Sequence, residues 1–202
     1  MTFVFILASG SPRRREILTE MGITFTVMKP DIDETQHPSE SPFAYVKRLS
    51  IEKAHAIADR MEKSQEAFIL GADTVVILAA DTMGEADGVI IGKPLDALEA
   101  ETMLKQLRNR AHIVCTAISL LTLKKGERTL QTELTQTTVT MRDYSDEEIK
   151  AYIATGDPFD KAGSYAIQHE AFHPVAHIDG SYSNVVGLPI ETLQKMLDRL
   201  SV

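Results

Sequence analysis

The sequence predicts an α/β protein, with a twisted, mixed and partly antiparallel sheet flanked by helices. Three observations lead there. An apolar run at residues 3–9 passes through a glycine turn directly into a capped helix, giving a strand, a tight turn and a helix N-terminus. Runs at 68–79, 112–123 and 129–142 have the length and the Val, Ile and Thr content of strands. Helical periodicities recur between these runs without strict alternation, so the sheet is expected to be parallel only in part.

In chain order, Ser11-Pro12 reads as an N-cap followed by Pro at the first helical position, with the helix running to about Met21 and Gly22 just beyond its end. A short strand is expected at 24–28 and a polar stretch at 29–40. Ser41-Pro42 repeats the start signal, and Phe43, Val46, Leu49, Ala54 and Ile57 place apolar residues on one face of a helix to about Met61. The apolar run 68–79 reads as a buried strand. Gly84 and Gly88 mark a turn before a short strand at 89–91. Asp96 with Glu99 predicts a capped helix to about Arg108, and Ser145 with Glu148 predicts another, closed by Gly156. Between them, 112–123 and 129–142 are joined by the turn Lys124-Lys125-Gly126. Leu130 and Leu134 differ in parity from Val139 and Met141, which predicts a bulge in the second of these strands. A last helix is expected from Ile190 to Leu200.

Composition narrows the function. The chain has 202 residues, 44% hydrophobic and 25% charged, with no repeat, low-complexity tract or linker, so residues 1–202 are expected to form a single domain. A net charge of -8 argues against nucleic acid as a partner, because such binding draws on Lys and Arg that neutralise phosphates. A phosphorylated small molecule is compatible, provided the 21 basic residues concentrate a few cations in one pocket. The apolar runs are too short to span a bilayer, and the chain starts in a β-like run without the basic segment of a secretory signal. The expectation is therefore a cytoplasmic protein with no membrane partner. Cys115, the sole cysteine, sits among Ile113, Val114 and Ile118 and reads as a core residue in a reducing compartment. His173 and His177 are separated by Pro174, which spoils a helical zinc pair.

The chemistry concentrates where apolar runs end in glycine turns. Ser9-Gly10-Ser11-Pro12-Arg13-Arg14-Arg15 offers free N–H groups at a helix N-terminus together with three guanidinium groups, a suitable anion cradle. Arginines at that end oppose the helix dipole, a cost that favours function over a merely solvated first turn. Gly71-Ala72-Asp73-Thr74 places a carboxylate inside an apolar run, where it must be paired, bind a metal or titrate abnormally. Asp31-Ile32-Asp33-Glu34 is an acidic loop cluster. Gly92-Lys93-Pro94 sets a lysine at a strand-to-helix turn. Asp160-Lys161-Ala162-Gly163-Ser164-Tyr165, Gln168 and Gly180-Ser181-Tyr182 complete the set. Carboxylates with Lys and Arg near glycine turns suit Mg²⁺-assisted phosphoryl chemistry.

Taken together in this order, with Val186-Gly187-Leu188-Pro189 after Ser181-Tyr182, these motifs resemble the Maf family of nucleotide pyrophosphatases from residue 7 to the last helix. The resemblance implies a homodimer of two-lobed subunits around a cleft, related in fold to the inosine triphosphate pyrophosphatases. It implies hydrolysis of a nucleoside triphosphate to the monophosphate and pyrophosphate with a divalent cation, Mg²⁺ or Mn²⁺. By position, Asp73 matches the family's catalytic acid–base residue. Lys53, Lys93 and Glu34 match polar active-site positions, and Ser9, Ser11 and Arg14 lie in the phosphate loop. Glu34 and Asp73 are the metal ligands this implies. Arg13, Thr74 and Gln168 agree with the subgroup acting on dTTP and UTP and would face the base. The alternatives are 7-methyl-GTP or inosine triphosphate as substrate, or a non-catalytic nucleotide-binding regulator of cell division. His169 stands where the family usually has Gly, and residues 80–89 look longer than the family's usual hairpin.

Overall fold

The computed structural model describes residues 3–64, 74–124 and 126–200. Its strands are β1 (Phe3–Leu7), β2 (Thr26–Val27), β3 (Thr74–Ala86), β4 (Val89–Ile91), β5 (Ala111–Lys124), β6 (Glu127–Met141) and β7 (Val175–Asp179). The helices are α1 (Pro12–Glu20), α2 (Pro42–Ser64), α3 (Ala97–Leu107), α4 (Asp146–Ile153), α5 (Tyr182–Val186) and α6 (Ile190–Asp198), with 3₁₀ turns at Asp157–Asp160 and Ala162–Ser164. Among the described residues the strands form a seven-stranded sheet in the order β2-β1-β3-β5-β6-β7, with β4 paired to β3. β2, β1 and β3 are mutually parallel, whereas β3–β4 and β6–β7 are antiparallel. The mixed α/β sheet expected from sequence is therefore observed.

The chain divides into two compact units, and β3, β5 and β6 each contribute to both. The first comprises Met1–Asp81, Thr116–Thr135 and Gly187–Val202. Its core joins Ile6 and Ala8, Val75, Ile77 and Ala79 of β3, and Leu121 and Leu123 of β5 to Ala54, Ile57, Ala58 and Met61 of α2. Two periodicities meet there. Alternate residues of β3 point to one face, and residues three and four apart in α2 form the stripe that covers it. α1 begins as expected, with Ser11 capping the Arg14 N–H, Pro12 in the first turn and Gly22 at a φ of 71° just past the C-cap. Hydroxyls of Ser50, Ser119 and Thr132 form a chain with both O···O distances 2.9 Å, which satisfies polar groups on otherwise apolar elements.

The second unit comprises Thr82–Cys115 and Gln136–Val186. Its β3–β4 hairpin pairs Ala86 with Val89, so the turn is Asp87-Gly88, with φ of 54° and 80°. Two consecutive positive φ values mark the turn whose twist suits a hairpin. The expected turn is thus found at Gly88, whereas Gly84 lies inside β3 opposite Ile91. Ser145 and Glu148 form both bonds of a capping box on α4. On α3, Asp96 accepts from the Glu99 N–H, but the Glu99 carboxylate accepts from Leu95 N instead of the cap residue. Leu104, Leu107, Val114, Val139, Met141, Tyr144 and Tyr152 build the core of this unit, with the Tyr144 hydroxyl donating to Leu104 O at 2.7 Å.

The parity change read in the second long strand has two sources. β6 passes from one unit to the other between Thr135 and Gln136; only its second half is buried, with Val139 and Met141 in the core of the second unit. The register irregularity against β7 falls later, at Thr140/Met141. Strand β3 also departs from expectation. It continues through Ala86 rather than ending at 79, and the expected segment 68–73 lies outside the described residues.

Candidate active site

In the first unit, polar groups gather at the carboxyl ends of the parallel strands, the usual ligand-binding edge of such a sheet. β1 ends at Leu7, and the turn Ser9-Gly10-Ser11 leads into α1. Ser9 is buried, and its Oγ accepts from Ser11 N at 3.2 Å and from Arg14 Nη1 at 3.2 Å. The turn is tight: a Cβ on Gly10 would lie 3.1 Å from Lys29 Cε, which also brings an unanticipated lysine to this turn.

Arg14 sits on the first turn of α1, but its side chain is buried. Nε donates to Gly187 O at 2.9 Å and Nη1 to Ala80 O at 2.8 Å. The guanidinium thus ties the start of α1 to the middle of β3 and to the Gly187 segment. Burial pulls its pKa below the ordinary arginine value, while the charges of Asp81 and Glu34 push it back up. Its described contacts hold two backbone carbonyls and the Ser9 hydroxyl in place. Arg13, its neighbour, is half-buried.

Lys53 is the centre of the cluster. On α2 it lies four residues before Ile57 and so on the same face of the helix, placing a cation in line with the residues that cover β3. Val75, Ile77 and Ala79 of β3 face α2, and Asp81 has the same parity, so its carboxylate meets Lys53. The Lys53 Nζ to Asp81 Oδ1 distance is 2.6 Å. Lys53 Nζ also lies 2.9 Å from Glu34 Oε1. Asp81 is 8% exposed, the only Asp or Glu among the described residues in the buried class. Its burial pushes the carboxyl pKa above the usual range, opposed by Lys53 and Arg14.

Glu34 comes from the loop between β2 and α2, and α2 braces that loop. The Tyr45 hydroxyl donates to Glu34 O at 2.9 Å, and Arg48 donates to Thr35 O at 3.0 Å while pairing with Glu40 and Glu52. Asp33 Oδ1 accepts from both the N–H and the hydroxyl of Thr35. The acidic loop is therefore held in place, and the Glu34 side chain remains 57% exposed. Among the described residues no three His, Cys, Asp or Glu groups converge on one point. Glu34, with one oxygen on Lys53 and the side chain open to solvent, fits a Mg²⁺-type ion that keeps waters and takes its remaining ligands from substrate phosphates.

Not every expected residue joins this cluster. Asp73 lies outside the described residues. Thr74 is at the opposite end of β1, paired with Phe3, and its buried Oγ1 has no hydrogen-bond partner. Seven residues of extended chain, roughly 23 Å, separate it from Asp81. The reason is register. Residues 77–82 (Ile-Leu-Ala-Ala-Asp-Thr) repeat residues 69–74 (Ile-Leu-Gly-Ala-Asp-Thr) at five of six positions. The Leu7↔Leu78 pairing seats the second copy beside the Ser9 turn. That echo was the signal by which Asp81 could have been found in the sequence.

The second unit holds the other expected residues. The turn before Lys93 meets the Lys161 motif, because Gly163 N donates to Gly92 O at 3.0 Å. Lys93 and Gln168 are both exposed. Lys161, by contrast, is buried and bound to Asp157 and Asp160 at 2.8 and 2.6 Å. His169 turns its Nδ1 onto Phe172 N at 3.0 Å and packs its ring edge-on to Tyr152, so this departure from the motif serves a local turn.

No described helix is long and apolar enough to cross a membrane. The sequence model of the family described as Maf-like protein matches residues 4–200. A dTTP/UTP pyrophosphatase of Myxococcus xanthus is 44% identical over 196 residues, covering 97% of this chain and 92% of that protein. Proteins of the same name from Geobacter sp. (strain M21) and Dictyoglomus turgidum are 46% and 43% identical. These alignments cover 92% and 96% of this chain, and 89% and 94% of the respective relatives.

Proposed function

We propose that this chain, which belongs to the Maf family of proteins, hydrolyses dTTP and UTP to the monophosphate and pyrophosphate. Relatives that bear this name over nearly the whole chain support the substrate class. The observation that carries the chemistry is the cluster of Ser9, Arg14, Glu34, Lys53 and Asp81 at the carboxyl ends of the parallel strands.

The reaction is attack by water on the α-phosphorus, with pyrophosphate leaving on its bridging oxygen. Its barrier is mainly one of positioning and charge. The turn at residues 9–11 offers main-chain N–H and hydroxyl groups to phosphate oxygens. Lys53 supplies a positive charge that its two carboxylate partners hold in place. Arg14 fixes the turn against β3 and lends its charge at a distance, and Lys93 is the further cation assigned to the phosphates. Mg²⁺ or Mn²⁺, held by Glu34 and the substrate's own phosphates, would neutralise charge across the α- and β-phosphates. Arg13, Thr74 and Gln168 are assigned to the base by their motifs, with Gln168 able both to donate and to accept. The motif likewise assigns the proton-accepting role, and a share of the metal, to Asp73. A homodimer in the cytoplasm is part of the same reading.

A pyrophosphate-release assay over dTTP, UTP, 7-methyl-GTP and ITP, with and without Mg²⁺ or Mn²⁺, tests it. The expected result is kcat/KM for dTTP and UTP at least about tenfold above 7-methyl-GTP, or roughly 1.4 kcal/mol, and no turnover without the metal. Preference for 7-methyl-GTP or ITP would remove the substrate assignment. An absence of pyrophosphate release from every triphosphate would remove the reaction.

A further inference from the structure

Gln168 is exposed, so its reach toward a base depends on how firmly the chain around it is held. A recognition group has to sit within about 0.5 Å of its working position, which is the task of the side chains packed behind it. Behind Gln168 stands Tyr152 of α4, a residue that none of the motifs read from the sequence contains. We infer that Tyr152 is a positioning residue for base selection, whose hydroxyl and ring together set the place of Gln168. The inference rests on the assignment of Gln168 to the base made above.

Tyr152 is 2% exposed and touches the chain on both sides of Gln168. Two residues before Gln168, Ala166 N donates to the Tyr152 hydroxyl at 3.0 Å. One residue after it, the His169 ring lies edge-on to the Tyr152 ring, with centroids 4.7 Å apart. Further on, the Phe172 ring stacks on Tyr152 at 4.5 Å with 16° between the planes. The segment also closes on itself. His169 N donates to Ala166 O at 3.2 Å, and Phe172 N donates to His169 Nδ1 at 3.0 Å. Gln168 therefore sits on a closed turn that meets the same tyrosine at Ala166, at His169 and at Phe172.

The hydroxyl is itself fixed. It donates to Asp157 Oδ2 at 2.6 Å, which leaves its lone pairs to accept from Ala166 N. Asp157 is held in turn by Lys161 Nζ, at 2.8 Å from Oδ1 and 2.6 Å from the Asp157 carbonyl. Burial raises the Asp157 carboxyl pKa, but the hydrogen bonds from Lys161 and Tyr152 outweigh it and hold the group below the usual carboxylate range. The acceptor is thus ionised and its bond to the hydroxyl is charge-assisted. A chain of Lys161, Asp157 and Tyr152 runs from a buried cation to the backbone two residues short of Gln168.

The Lys161 motif also reaches the turn before Lys93, through Gly163 N and Gly92 O. A disturbance passed that way falls on the phosphates, which every triphosphate shares. One passed through Tyr152 to Gln168 falls on the base, so the ratio between substrates tells the two apart.

Tyr152→Phe keeps the ring with both aromatic contacts and removes only the hydroxyl. The test measures kcat/KM for dTTP and for 7-methyl-GTP with saturating Mg²⁺ in the full chain, in Tyr152→Phe, in Gln168→Ala and in the double variant, with thermal unfolding as the check on folding. Tyr152→Phe is expected to lower the ratio of dTTP to 7-methyl-GTP at least about threefold, and Gln168→Ala at least about fivefold. The double variant is expected to match Gln168→Ala, because a residue that acts through Gln168 then has nothing left to act on. If Tyr152→Phe does not fold, Asp157→Asn decides: it keeps the hydroxyl but offers it a neutral acceptor, and the ratio should fall at least about twofold. A ratio unchanged in the folded variant, while Gln168→Ala lowers it, overturns the inference, and equal losses on both substrates count as such a result. So do additive falls in the double variant. A ratio unchanged in Gln168→Ala instead overturns the assignment of Gln168 to the base, and the inference falls with it.

Discussion

Replacing Arg14 with Lys separates a structural guanidinium from a phosphate ligand. In the structure Arg14 donates from Nε to Gly187 O at 2.9 Å and from Nη1 to Ala80 O at 2.8 Å and to Ser9 Oγ at 3.2 Å. A lysine ammonium is a point donor and cannot span these acceptors, which lie on different segments. At least two charge-assisted bonds are lost, each worth about 1.5–3 kcal/mol, so the expected destabilisation is about 3–5 kcal/mol. For 202 residues, an unfolding entropy of about 2.1 cal/mol/K per residue amounts to ~0.42 kcal/mol/K. The loss therefore corresponds to a Tm lower by roughly 7–12 °C. Thermal unfolding of the variant without substrate measures it directly, and dTTP kinetics well below the Tm report the effect on the site. The expected kinetic change is in kcat, because Ala80 adjoins Asp81 and the Ser9 turn loses its anchor. A Tm lower by less than about 2 °C, with KM raised about tenfold and kcat kept, would refute the reasoning. It would place the guanidinium on the substrate.

Three further outcomes are expected. His112 is buried, its Nε2 pairs with the Tyr165 hydroxyl at 2.9 Å and its Nδ1 has no hydrogen-bond partner; burial lowers its pKa from 6.5 to about 4. The unfolded chain then binds a proton that the native state refuses between these values, so this stability is present above about pH 6.5 and is lost as the pH falls toward 4, about 2 kcal/mol of it by pH 5. Urea unfolding at pH 7 and pH 5 should show that slope in the wild type and a flatter one in His112→Gln; parallel slopes would exclude His112 as its source. Glu34→Gln should raise the half-saturating Mg²⁺ concentration at least about tenfold without lowering the Tm, since its side chain is exposed; an unchanged metal dependence would take Glu34 out of the cation site. Gln168→Glu should erode the preference for dTTP and UTP over 7-methyl-GTP, because a carboxylate only accepts where the amide also donates; an unchanged ratio would remove Gln168 from base recognition.

The sequence by itself determined what depends on neighbours along the chain. The caps at Ser11, Asp96 and Ser145, Pro12 in the first turn of α1 and the turns at Gly22, Gly88 and Gly156 are local choices of backbone angle and side-chain bond, and the structure places each where its residues require. The apolar stripe of α2 was legible for the same reason, and so was the cluster of Ser9, Arg14, Glu34 and Lys53 as a set of site candidates. Only the tertiary structure decided which groups meet. Arg14 was legible as part of an anion cradle, but a local pattern does not reveal that the Ala80 and Gly187 carbonyls accept from it. Asp81 went unread because its neighbours echo those of Asp73 at an even spacing. The alternation of faces along a strand is identical for either aspartate, and the register that distinguishes them is set by β1, some seventy residues away in sequence.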